Sequence, residues 1–440
     1  MYANDNLQIT SKNMKSIRCG VALVGMMCLT GGLVACSSND EVNEPETVVE
    51  PPIVEEEQGL TAEMEEAINS GINGFSFNLF KVMANNSPRT SIVVSPYSVA
   101  SVLAMLNDGA DGATRKELLE ALGFGSSTTR GVNEFFQKQL AATADGDGAR
   151  LQTANALFVN QGQELAETYT ADMTAYYDAM VEALDFSSPA SVSRINGWCK
   201  EKTNGMIPEI INVLSPQTQA VVANAICFGA KWAEPFDKRD TQPGRFTTED
   251  GKSIQADFMA LGSTKGRTVS ADTYDALRMD YAGERFAMTI LLPKEGYDVS
   301  HVVGTLSTES WTELCRQLDA QEPWFTFVSL PRFTVEPREE GDISGVLKSL
   351  GIKSMFSAAT AEFPQILADA SLLYVSKVEH KAKIVVTEDG TEAAAATVSE
   401  INGSPGHDYP YPTFIANHPF LFFISDRQTG CICFVGAYHG

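Results

Sequence analysis

The residues that promise something other than packing run from Val386 through Thr387, Glu388, Asp389, Gly390, Thr391 and Glu392, then Ala393 to Ala396, Thr397, Val398, Ser399, Glu400 and Ile401. Taken with a period of two, Thr391, Ala393, Ala395 and Thr397 share one face, and every side chain on that face is small. Small side chains without proline are what a strand needs if it is to slide between two existing strands. Four alanines suit a helix as well. Gly390 ahead of the run, Thr397 and Val398 behind it, and the lack of an apolar stripe at helical spacing weigh toward the strand. Conventional catalysis has no foothold elsewhere in the chain: there is no GxSxG elbow, no HExxH, no GxxxxGKS or GxxxxGKT, and no GxGxxG after a strand. His301, His407, His418 and His439 have no neighbours that suggest a triad, so a structural role is the reading for each.

A strand that inserts needs a sheet to receive it. Long apolar, strand-like segments occur at 151–160, 219–228, 286–292 and 325–335, and Phe420–Ile424 with Cys431–Val435 form a terminal pair around Asp426–Gly430. Helical periodicity is clear from Tyr97 to Asn107, where Val99, Leu103 and Leu106 share a face. A second helix is expected after Thr114, which with Glu117 has the spacing of a capping box ahead of Leu118, Leu119 and Leu122. Strands in runs, interrupted by helices without βαβ alternation, predict an α+β protein with large sheets. From residue 61 onward no linker or repeat intervenes, and one domain is expected to the C-terminus.

Ahead of that domain lie two segments of different character. Met14, Lys15 and Arg18 precede an apolar stretch from Gly20 to Ala35 that is short for a bilayer span, so residues 1–35 read as a secretory signal with Met14 as an alternative start. The tract ends in Leu33-Val34-Ala35-Cys36, which resembles the lipobox of bacterial lipoproteins and implies lipidation of Cys36. Residues 36–60 then hold Asp40, Glu41 and further glutamates with no Lys or Arg, the composition of a solvated acidic tether. The resemblance implies anchoring to the outer membrane, with a surface-exposed domain, and the lipid is the only membrane contact expected. A formal charge of −24 excludes nucleic acid and a heparin-like activator as expected partners, because like charges repel. Past Cys36, the cysteines Cys199, Cys227, Cys315, Cys431 and Cys433 are odd in number and scattered, which is no disulfide framework, and their spacing fits no zinc site. No metal or cofactor is expected.

Residues 61–440 resemble the serpin family. The hinge from Glu388 to Thr397 looks like that of inhibitory members, and Phe414-Ile415-Ala416-Asn417-His418-Pro419-Phe420-Leu421-Phe422-Phe423-Ile424 looks like the family's C-terminal signature. Ser95-Pro96-Tyr97-Ser98 with Leu103-Ala104-Met105-Leu106, Thr153-Ala154-Asn155-Ala156-Leu157-Phe158, Lys231-Trp232 with Pro235-Phe236, and Leu291-Leu292-Pro293-Lys294 follow in the family's order. The resemblance implies the serpin fold, with three β-sheets, eight to nine helices and an exposed reactive-centre loop from about Gly390 to Tyr411. It implies that Thr391 passes from water into the sheet after cleavage. Ser95, Ser98, Asn224 and His380 match the polar cluster beneath the sheet opening, Trp232 and Thr241 the point where the loop first inserts, and Arg332 a charge partner for Glu388. Ser91 departs from the family, where asparagine is common.

The implied function is protease inhibition by suicide-substrate trapping: the cleaved loop inserts into the main sheet while the protease is held as an acyl-enzyme. Family spacing counted from Glu388 puts Ser404 before the cut and Pro405 after it, and a longer loop leaves Ile401, Asn402 and Gly403 as further candidates. No Lys or Arg lies between Gly390 and Phe414. The expected partners are therefore elastase-like or subtilisin-like serine proteases and papain-like cysteine proteases, met by a monomer that is itself no enzyme. The alternative is a non-inhibitory, surface-binding lipoprotein of the same fold, because fold does not fix function.

Overall fold

A computed structural model describes residues 58–144, 149–321, 324–336, 341–369, 372–391 and 412–440. By internal contacts the chain divides into Met1–Glu55 and Glu56–Gly440, and every described residue belongs to the second unit. The signal, Cys36 and nearly all of the acidic tether lie outside the described residues.

Nine helices are present among the described residues: α1 (Ala62–Asn86), α2 (Pro96–Gly109), α3 (Gly112–Leu122), α4 (Thr129–Ala144), α5 (Glu167–Tyr177), α6 (Pro189–Lys202), α7 (Val299–Thr305), α8 (Thr308–Ala320) and α9 (Ser344–Ser349). The same residues hold sixteen strands, β1 (Ile92–Val94), β2 (Ala149–Asn160), β3 (Met180–Leu184), β4 (Ala220–Lys231), β5 (Gln242–Thr247), β6 (Ser253–Ser270), β7 (Tyr274–Asp280), β8 (Phe286–Pro293), β9 (Trp324–Pro331), β10 (Phe333–Val335), β11 (Lys377–Ala382), β12 (Ile384–Thr387), β13 (Gly390–Thr391), β14 (Thr413–Ile415), β15 (Phe420–Asp426) and β16 (Ile432–Tyr438). They form three sheets. The main sheet runs β10-β12-β13-β4-β2-β3, with β11 also against β4. The other two share the long strand β6: its first part pairs with β5 and β9, and β14 lies beyond β9, while its last residues pair with β7 and lead on through β8, β15 and β16 to β1. The register against β9 slips between Leu261 and Thr264, and the strand passes from one sheet to the other further on, between Gly266 and Arg267.

The apolar runs explain the sheets. In β4 and β15 successive residues are buried whether they point up or down, as strands covered on both faces must be. α2 is buried along its whole length, behind the main sheet, with Ser95 as N-cap and Pro96 at its first turn. A smaller core, including Ile195, Trp198, Ile207 and Ile211, packs α6 and the segment after it on the other side of β2 and β4.

Two local expectations are corrected. Thr114 does not cap a helix; Asp111 does, and Thr114 lies inside α3, where its hydroxyl accepts the amide of Glu362. Glu117 instead accepts the amides of Lys353 and Ser354 and the Ser354 hydroxyl, so its carboxylate caps a short 3-10 helix, Ser354–Phe356, more than 200 residues away. The segment 325–335 is two strands in different sheets, broken at Arg332, whose amide donates to Asp257 O at 2.8 Å.

Candidate functional site: the hinge and the seam of the main sheet

β11 and β12 form one edge of a seam, and β4 forms the other. Along its lower half the seam is closed, with Lys377–Ala382 of β11 running parallel to β4 in the register Lys377 to Val221 and His380 to Asn224. Along its upper half it is open. There Gly390 and Thr391 sit between the two edges, antiparallel to both: Thr391 faces Val386 on one side and Ala230 on the other. The order β12-β13-β4 thus contains the first two residues of the loop as a short strand of its own.

A tight turn makes this possible. Thr387 and Gly390 face each other across Glu388 and Asp389, a two-residue hairpin. Gly390 has φ +151°, and a Cβ there would lie 2.0 Å from Ala230 O, so both conformation and space demand glycine. The segment after β4 holds the turn in place: Trp232 N donates to Asp389 O at 3.1 Å, Phe236 N to Glu388 O at 3.0 Å, and the indole N–H of Trp232 to Thr387 O at 2.9 Å. Lys238 pairs with Asp389 at 2.7 Å.

The Glu388 side chain is buried at 2% exposure and its Oε1 collects three donors, Arg332 Nε at 2.7 Å, Arg332 Nη2 at 2.5 Å and Thr241 Oγ1 at 2.5 Å. Burial works to raise its pKa, but these hydrogen bonds prevail and hold the carboxyl below its ordinary value. Arg332 can reach it because it stands at the break where the chain crosses from β9 to β10. Thr391 is fully buried, and its hydroxyl meets the Tyr281 hydroxyl at 2.6 Å. The expectation of an exposed Gly390 and Thr391 is therefore wrong for the uncut protein: the first small side chain is already seated, since the hairpin and Tyr281 together satisfy it there.

Below the hinge, a buried polar cluster fastens the closed half of the seam. His380 Nε2 accepts the Ser95 amide at 3.2 Å, so the ring proton lies on Nδ1, which donates to Asn224 Oδ1 at 2.5 Å. Asn224 Nδ2 donates to Ser98 Oγ and to Asn155 Oδ1, each at 2.7 Å. Ser95 Oγ caps α2 through the Ser98 amide and donates to Cys433 O at 2.6 Å. Burial pushes the His380 imidazole down to about 3. Ser91 serves a different contact, its hydroxyl accepting the His439 amide at 2.9 Å.

The structure thus brings Glu388, Arg332, Thr241, Trp232, Gly390 and Thr391 together at the hinge, and Ser95, Ser98, Asn224 and His380 at the closed seam. Glu392, Ala393, Ala394, Ala395, Ala396 and Thr397, and the scissile-bond candidates Ile401, Asn402, Gly403, Ser404 and Pro405, lie outside the described residues. Sequence reasoning missed Tyr281, Asn155 and Ser101, which accepts from Asn155 Nδ2 at 3.0 Å. Asn155 lies in the motif Thr153–Phe158, whose family pattern is the one signal that could point to it. Nothing in the sequence around Tyr281 points to the hinge.

Fold and site define a protein whose main sheet is wedged open at one end by the start of its own loop. A family model described as Serpin (serine protease inhibitor) matches residues 70–439. Serpin B6 of Macaca fascicularis is 34% identical over 83% of this chain and 96% of its own, and an uncharacterised serpin-like protein of Thermococcus kodakarensis is 34% identical over 84% and 85%. The native crystal structure of the thermophilic serpin tengpin covers 88% of this chain and 96% of its own at 26% identity, with a TM-score of 0.77. The chain belongs to the serpin family, whose members generally inhibit proteases by a suicide mechanism and are not enzymes.

Proposed function

We propose that this serpin is itself an inhibitor of proteases, which cut its loop and are trapped as the loop inserts into the main sheet. The observation that carries this reading is the seated hinge. Gly390 and Thr391 occupy the position an inserted strand would take, with the correct antiparallel sense to both edges. Continued in that register, in which Thr391 faces Ala230, each later residue pairs one step further down β4, and Glu400 would face Val221, the residue now opposite Lys377. Full insertion then calls for a cut beyond Glu400, which favours a scissile bond between Ile401 and Pro405. The small face of Thr391, Ala393, Ala395 and Thr397 supports insertion against the non-inhibitory reading, which would place bulky or proline residues there.

The loop's lack of Lys and Arg favours elastase-like, subtilisin-like or papain-like targets over trypsin-like ones. A panel of these proteases, incubated with the domain, is expected to give a complex that survives boiling in detergent and a released C-terminal peptide that starts between Asn402 and Pro405. A peptide that starts beyond Tyr409 would overturn the register. Cleavage by every enzyme with no stable complex would favour the non-inhibitory reading. The lipobox and acidic tether support a further part of the proposal: Cys36 carries lipid and holds the domain at the outer membrane, facing outward. Mass spectrometry of the mature N-terminus should find the diacylglyceryl group, Cys36→Ser should release the protein, and protease shaving of intact cells should remove the domain.

A further inference from the structure

Tyr281 follows β7 directly, at the start of the turn into β8, and is fully buried. Its ring stacks on Trp232 at 4.5 Å and 7° and meets Phe228 edge-on at 5.0 Å. The hydroxyl at the far end of that ring needs a partner in so dry a place. It has Thr391 Oγ1 at 2.6 Å. Burial pushes the phenol pKa far up, so the group stays an O–H across the physiological range.

The turn that carries the ring has backbone anchors of its own, besides the stack on Trp232 that it shares with the hinge. Tyr281 N donates to Phe286 O at 2.9 Å, Ala282 N to Lys231 O at 2.8 Å and Ala233 N to Asp280 O at 3.0 Å, which fastens the turn to the end of β4. The neighbouring Asp280 carboxylate is held by Arg267 at 3.1 Å and by Arg427 at 3.2 Å. With its backbone fastened at three points, the residue carries its hydroxyl to the gap between β12 and β4, where it meets Thr391. Only a residue with a short polar side chain can meet it there and still fit the sheet.

We propose that Tyr281 is a positioning residue for loop insertion, its hydroxyl holding Thr391 between β12 and β4 so that the first rung of the new strand exists before the loop is cut. The inference rests on the inhibitor reading for its consequence, but the seating itself is a property of the uncut protein. Removing one buried hydrogen bond of this kind shifts an equilibrium by about five- to tenfold. Tyr281→Phe keeps the stack on Trp232 and removes only that bond, so the hinge should leave its slot more often. Insertion would then start later, and more molecules would be cut without trapping the protease.

The test has two arms. In the uncut protein, hydrogen exchange of the peptide that contains Gly390 and Thr391 should speed up about five- to tenfold in Tyr281→Phe. With a protease that the parent protein traps, the number of inhibitor molecules consumed per enzyme should rise severalfold. Thr391→Val should do the same, and the double variant should be no worse than the worse single one, because both removals delete one contact. A lower melting temperature with unchanged hinge exchange and unchanged consumption would make Tyr281 merely structural and overturn the inference, as would additive effects in the double variant. If the parent traps no protease, the inhibitor reading fails, and hinge exchange in Tyr281→Phe still decides the seating. Should Tyr281→Phe not fold, Thr391→Val carries the same comparison.

Discussion

Lowering the pH from 7 to 5 should weaken the uncut protein specifically through His380. Both ring nitrogens are committed, Nε2 accepting the Ser95 amide and Nδ1 donating to Asn224. A second proton would remove the first contact and place a charge where burial holds the pKa at about 3. In the unfolded chain the same ring titrates near its ordinary value of about 6.5. The unfolded state therefore binds more protons between these limits, and stability falls as pH falls from about 6.5 toward 3. Between pH 7 and pH 5 the loss comes to about 2 kcal/mol. His439, lowered to about 4 by burial, acts in the same sense, whereas Glu379, raised by burial, acts in the opposite one. Comparison with His380→Gln cancels both. Denaturant midpoints of the two proteins at pH 7 and pH 5 should show the variant less stable at pH 7 but with a pH slope smaller by about 2 kcal/mol. Equal slopes, or a His380 ring resonance that titrates near pH 6.5 in the folded protein, would refute the reasoning.

Two substitutions at the hinge follow from the seated Thr391. Thr391→Arg cannot keep a guanidinium in a slot that offers it one hydroxyl, so the hinge should leave the sheet in the uncut protein, at a cost of about 2–4 kcal/mol, and insertion after cleavage should slow by about a hundredfold or more. Cleavage at the same bond with little detergent-stable complex is the expected result, read by gel and intact mass. Gly390→Ala puts a methyl 2.0 Å from Ala230 O at a positive φ, so it should lower the melting temperature of the uncut protein and expose the hinge to proteolysis without any new charge.

Legibility in the sequence followed how local each signal was. The terminal pair was plain because Phe420–Asp426 and Ile432–Tyr438 are long, apolar and joined by a short turn, and the strands now labelled β2 and β4 for the first of those reasons. Helix α2 was plain for its spacing. The capping box at Thr114 and Glu117 had the right letters, but a distant short helix competed for the Glu117 carboxylate, and spacing carries no information about that. The hinge was readable as a family pattern, yet its state was not: whether Thr391 is in water or in the sheet depends on Tyr281, which lies 110 residues away. Arg332 could be matched to Glu388, but only the change of sheet at that residue explains why its guanidinium arrives there.

The division of the seam into an open and a closed half bears on how a folded sheet could part at all. Of the partners of Asn224, Ser98 and Asn155 stand on α2 and β2 and would stay with β4, whereas His380 would leave with β11. The parting line of the buried cluster therefore crosses two hydrogen bonds, His380 to Asn224 and His380 to the Ser95 amide. The backbone pairs between β4 and β11 would be lost too, but an inserted strand replaces each of them on both edges. What insertion does not restore is the pair of histidine contacts, about 1–3 kcal/mol each. Within the buried polar cluster the resistance to opening is concentrated at a single ring, while Val378 and Ala382, also buried on β11, add an apolar share along the seam. In the proposed mechanism the seated hinge supplies the start of the new strand and His380 the last barrier before it reaches the far end, so the two sites govern opposite ends of one motion.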